Sequence, residues 1–204
     1  MKEILLKFGI RLPRRLIALY SALQDQCVME YEFVGESQES VRAILRSDKF
    51  DEDFCLFFKD PFGSFIGFWK MEETEFDKSP VVYFGRDGQF GVLAANFDDF
   101  LSLLYFASAE NWQLCKYIDY LEDVKMSKKS GSKARKIATA MVPQEEIENI
   151  IERVKDEGEE SYNKTIGWLK QNNVPKPKTT DLFSIIESTY KNNPNLQAFV
   201  DGKK

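Results

Sequence analysis

The sequence predicts an α+β fold: an antiparallel sheet of about four to six strands, the usual range, flanked by helices and followed by a helical C-terminal extension. Short β-branched and aromatic runs, FIGFW at 65–69 and VVYF at 81–84, lie next to the turn compositions DPFG and GRDG. Apolar residues recur at helical spacing on both sides of that block. A chain of 204 residues, 43% of them hydrophobic, can hold one sizeable core or a core domain with a helical appendage.

The elements follow in order. Leu12, Leu16, Leu19, Tyr20 and Leu23 form a helical stripe, and Pro13 stands where a first-turn proline is tolerated. Residues 31–34 predict a short strand, and Ser37 can cap a brief helix carrying Val41, Ile44 and Leu45. Residues 54–58 and 64–70 flank DPFG as an antiparallel hairpin. A second hairpin joins 81–84 to 90–93, with Gly85 and Gly88 bracketing a turn at Arg86 and Asp87. Asn96 can then cap a helix bearing Phe97, Phe100, Leu101, Leu104 and Tyr105, and Asp98 and Asp99 suit the positive end of its dipole.

Beyond it, Trp112, Leu114, Cys115, Ile118, Tyr120 and Leu121 predict a helix over the sheet. The run KMSKKSGSKARK at 125–136 is basic, rich in small residues and without core residues, which predicts an exposed linker. Pro143 can start a long helix with Ile147, Ile150, Ile151 and Val154 on one side, with Gly158 and Gly167 as interruptions. NNVPKPK at 172–178 reads as a further linker, after which Thr180 or Asp181 can cap a last helix with Leu182, Ile185, Ile186 and Tyr190. The expected division is a main domain at 1–124, a basic linker at 125–142, and a helical extension at 143–204 packed on the main domain.

Composition excludes several kinds of chemistry. With no histidine, the chain cannot build a Ser-His or Cys-His pair or a His-metal site from its own residues. Three widely spaced cysteines, Cys27, Cys55 and Cys115, oppose a secreted disulfide framework and lack zinc spacing. No apolar run reaches membrane-spanning length, and the opening residues lack a cleavable leader pattern, so a cytoplasmic location is expected. A net charge of −5 disfavours general nucleic-acid affinity and suits a partner with a basic face.

Few residues suggest chemistry once weighed. Trp69 is a candidate interface anchor, but Phe65 and Phe68 make its strand apolar on both faces, which favours the core. Glu72, Glu73, Glu75 and Asp77 form an acidic loop that could dock a cationic protein or simply be solvated. Asp51, Glu52 and Asp53 lack a metal or acid-base signature, and adjacent acids in a strand would face opposite ways. GRDG lacks the lysine-serine pair of a phosphate loop, and the basic run lacks aromatics for base stacking. No cofactor motif is present.

Three segments in order, RLPRRLIALYSAL at 11–23, DPFGSFIGFW at 60–69 and PVVYFGRDGQFGVLAANFDDFLSLL at 80–104, resemble the SUKH superfamily. This family is named partly after a yeast cell-wall-synthesis regulator and is widespread among bacterial immunity proteins of polymorphic toxin systems. The resemblance covers roughly the first two-thirds of the chain, an ordinary domain size. Many relatives carry Ser-Glu-Gly in the turn where this chain has Arg86, Asp87 and Gly88. It implies a non-enzymatic protein that binds and neutralises a cognate toxin, often a nuclease, by covering its active site. The partner-binding candidates are Glu72, Glu73, Glu75, Asp77, Arg86, Asp87 and Trp69. The alternatives are a cytosolic scaffold docking through its C-terminal helices and, further off, a carboxylate-dependent hydrolase. The sequence leaves the oligomeric state open.

Overall fold

The computed structural model describes residues 12–29, 31–34, 38–71, 76–86, 90–106, 152, 156, 159–178, 189 and 196–203. Among them, five strands form one antiparallel sheet in chain order: β1 (Glu32–Phe33), β2 (Phe54–Lys59), β3 (Phe65–Trp69), β4 (Val81–Phe84) and β5 (Phe90–Ala94). The helices are α1 (Arg14–Leu23), α2 (Gln38–Leu45), α3 (Phe97–Leu103), α4 (Glu159–Gln171) and α5 (Leu196–Lys203). The fold is α+β, as the sequence predicts. The helices foreseen around 112–121 and 143–154, the basic run, the cap at Ser37 and the cap at Thr180 or Asp181 lie outside the described residues, Glu152 excepted.

Simple alternation would put every second side chain of a strand on one face. β2 and β5 break that rule by a bulge each. In the β2–β3 register, Leu56 faces Gly67 and Phe58 faces Ile66, so Phe57 is the extra residue; Leu93 is the extra residue between the pairs Val81–Ala94 and Val82–Val92. Each bulge turns two consecutive side chains, Phe57 with Phe58 and Leu93 with Ala94, toward the same core.

That core lies under α1, α3 and α4 and contains Leu16, Leu19, Phe57, Phe58, Phe68, Tyr83, Phe97, Phe100, Trp168 and Leu169. The opposite face of the sheet carries a second core, with Phe54, Leu56, Trp69, Val82 and Phe84 against Val41 and Leu45 of α2, Phe50, and Leu196 and Val200 of α5. Two apolar faces explain why β3 and β4 are buried along their whole length. α1, α3 and α4 cover one face only; α2 and α5 close the other.

The turn residues perform as their chemistry dictates. In DPFG, the Gly63 amide donates to the Asp60 carbonyl at 3.2 Å and Gly63 has φ +93°, the arrangement of a type I turn followed by a glycine bulge. Asn96 caps α3, its side-chain oxygen accepting from the Asp99 amide at 2.9 Å. At the end of α4, Asn173 takes φ +53°; its amide donates to Lys170 O at 3.1 Å and that of Val174 to Leu169 O at 2.9 Å, a Schellman motif.

Three expectations are corrected. α4 runs through Gly167 without interruption, because one glycine costs only about 1 kcal/mol against the packing of Thr165, Trp168 and Leu169. Residues 172–178 are not simply a linker: Val174 is buried beside Leu169, and its carbonyl accepts from Tyr105 Oη at 3.1 Å. Residues 51–53 form a turn before β2, not a strand.

Candidate functional site

The register gives the sheet two distinct ends. The β2–β3 and β4–β5 hairpins share one end, since Phe65 faces both Lys59 and Phe84, and Phe84 faces Phe90. At the other end lie the turn at 51–53, the connection from β3 to β4 and the start of α3; there the Lys70 amide donates to Asp53 O at 2.7 Å.

This arrangement separates the sequence candidates. Arg86 is exposed at the hairpin end, whereas Asp77 is exposed in a 3-10 turn (Phe76–Lys78) at the other. The four residues of β4 stand between them, at least about 13 Å at roughly 3.3 Å per residue. The two cannot belong to one small contact spot. Glu72, Glu73, Glu75 and Asp87 lie outside the described residues. Trp69 is 2% exposed and its ring lies 5.0 Å from that of Phe199, tilted by 54°, which keeps it off the exposed surface and places it in the second core beneath α5. Phe76, buried and 5.1 Å from the Phe68 ring, anchors the far side of the acidic loop.

Four carboxylates at the acidic-loop end, Asp51, Asp53, Asp98 and Asp99, are already engaged. Asp51 accepts from Arg42 Nε at 2.9 Å to each of its oxygens, tying α2 to the turn before β2. Asp53 pairs with Lys203 of α5. Asp98 pairs with Arg15 across α3 and α1 at 3.0 Å, an exposed bridge worth roughly 0–1 kcal/mol. Asp99, partly buried, receives a hydrogen bond from Asn96 Nδ2 at 2.9 Å. Burial nonetheless holds its pKa above the usual aspartate value, outweighing the amide, and neighbouring Asp98 pushes the same way. Among the described residues, no group of three or more Cys, Asp or Glu is placed to hold a metal ion.

Comparison with family models, curated proteins and solved structures finds no match to this chain.

The hairpin end holds what sequence reasoning missed. Phe62, at the tip of the DPFG turn, is 55% exposed, the most exposed of the large apolar side chains described. Its support is rigid: Asp60 Oδ1 accepts from the amides of Phe62 and Ser64 at 2.9 and 2.7 Å, and Asp60 itself is buried. The second oxygen of Asp60 is buried without a hydrogen-bond partner. The turn composition was visible in the sequence; the outward aim of the phenylalanine follows only from the bulged geometry. Among the described residues, no helix is long and apolar enough to cross a membrane.

Proposed function

We propose that this chain is a non-enzymatic protein-binding domain of the SUKH kind, a bacterial immunity protein that neutralises a cytosolic toxin domain with a basic face by direct binding. One observation supports the binding reading above the others. Of the adjacent carboxylates Asp51, Glu52 and Asp53, the first and last are spent as ion pairs with Arg42 and Lys203 that fasten α2 and α5 to the sheet, which leaves the exposed Glu52 without a free carboxylate partner in the run. An acid-base pair needs a free, tunable carboxylate facing a substrate. The order of elements, helix, meander of hairpins and Asn-capped helix, is the order the three SUKH-like segments lead one to expect. The net charge of −5 favours capture of a basic partner by electrostatic steering.

The acidic loop before β4 is the surface assigned to that partner. A toxin gene beside this one would favour the reading, and titration against the toxin domain it encodes, at low and high salt, tests it. Tight binding that weakens with salt is expected. Reversing Glu72, Glu73 and Glu75 together to lysine should slow association and lower affinity at least about tenfold, roughly 1.4 kcal/mol. An affinity unchanged by the reversal removes this surface, and no binding at all removes the function.

A further inference from the structure

The second core has an occupant whose side chains read as a peptide ligand. α5 contributes Leu196, Phe199, Val200 and Lys203, at positions i, i+3, i+4 and i+7, the anchor spacing of an amphipathic helix laid into a groove. Leu196 and Val200 are buried, and Phe199 meets an aromatic wall: its ring lies 5.0 Å from Trp69, 6.2 Å from Phe50 and 6.3 Å from Phe54. Lys203 ends the helix as a clasp, paired with Asp53 and lying 5.8 and 5.4 Å from the Phe50 and Phe199 ring centres.

One polar group in the core beneath α5 is left unmet. Trp69 is nine-tenths buried and more, yet its Nε1 donor has no hydrogen-bond partner. A buried donor left unmet is costly, and a different helix carrying an acceptor at that level would meet it. A helix of eight residues containing Gly202 has little stability of its own, so its docking depends on these contacts and on its tether.

We propose that the face formed by Phe50, Phe54, Trp69 and Asp53 is a helix-receiving groove held in cis by α5, and that α5 is displaced by an amphipathic helix of a protein partner. The partner helix presents apolar anchors at i, i+3 and i+4, a basic residue at i+7 that takes the place of Lys203 on Asp53, and a polar acceptor for Trp69 Nε1. Asp53 and Trp69 lie at the acidic-loop end of the sheet, but the groove and its peptide test use neither the loop nor a toxin, so the groove stands or falls separately from the toxin reading.

The probe is a fluorescent peptide of residues 194–204, PNLQAFVDGKK, added to the full chain. Tethering gives α5 an effective concentration in the millimolar range, so the wild-type chain should take the peptide weakly. Phe199→Ala and Lys203→Ala, each in the full chain, loosen the resident helix and should bind the peptide about tenfold or more tightly than wild type. Adding Asp53→Asn to either should reverse much of that gain. Folded variants that bind no peptide overturn the proposal. Unfolding of both variants also overturns it, because α5 would then be an indispensable part of the core. A wild-type dimer that excess peptide dissociates would assign the groove to a second copy and overturn it equally.

Discussion

A single missing side chain decides how closely β2 and β3 approach. Gly67 stands opposite Leu56, and a Cβ there would lie 2.7 Å from Cys55 O and 2.8 Å from Leu56 Cα. Both are backbone atoms in the middle of a sheet and cannot swing aside. Gly67→Ala should therefore destabilise by about 1–3 kcal/mol, the cost of overpacking, seen as a lower denaturant midpoint. Asp99 offers a prediction with a pH signature. Its folded-state pKa is raised, chiefly by burial, so between the unfolded and folded values the native state holds more protons and stability falls as pH rises. Asp99→Asn removes the charge while keeping an acceptor for Asn96. The variant should be more stable than wild type at pH 7, and its advantage should vanish as pH falls through the raised value toward the ordinary 3.8. An advantage that grew on acidification would show that the helix dipole outweighs desolvation.

Elements were legible where local chemistry alone determines them. Pro13 and the Leu16, Leu19, Leu23 stripe fix α1, Asn96 fixes the start of α3, and DPFG fixes its hairpin. The bulges at Phe57 and Leu93 were not legible, because every residue around them is apolar and a one-residue slip leaves no mark in such a run. Nor was the split of the candidate site, since a linear sequence shows Asp77 and Arg86 as near neighbours while a strand carries them to opposite ends. Gly167 illustrates a different limit. Its local cost predicted a break in α4, yet tertiary packing of Trp168 and Leu169 carries the helix across it. A Cβ at Gly167 meets nothing within 4 Å. Gly167→Ala should raise stability by about 0.5–1 kcal/mol, readable as a higher melting temperature; a loss would mean that the glycine serves something other than the helix.

At the scale of the whole molecule, α4 binds the two halves of the chain. Met29 is held at φ +58°, a conformation that costs a residue with a side chain roughly 1–2 kcal/mol. Its amide donates to Thr165 Oγ1 at 3.1 Å, and Ser161 Oγ donates to Cys27 O at 2.8 Å. Residues of α4 thus clamp a strained turn more than a hundred positions earlier, while Trp168 and Leu169 enter the core with Leu16 and Leu19. A C-terminal region folding separately from the sheet would make such contacts dispensable. The interlocked arrangement demands one cooperative unit instead. Trp168→Ala, which deletes a buried indole, should lower the stability of the entire chain by about 3–5 kcal/mol. Unfolding followed by far-ultraviolet circular dichroism and by near-ultraviolet aromatic signals should remain coincident, as a two-state unit requires. Two separated transitions, with only the second shifted by the substitution, would instead divide the chain into independent modules and confine the role of α4 to one of them.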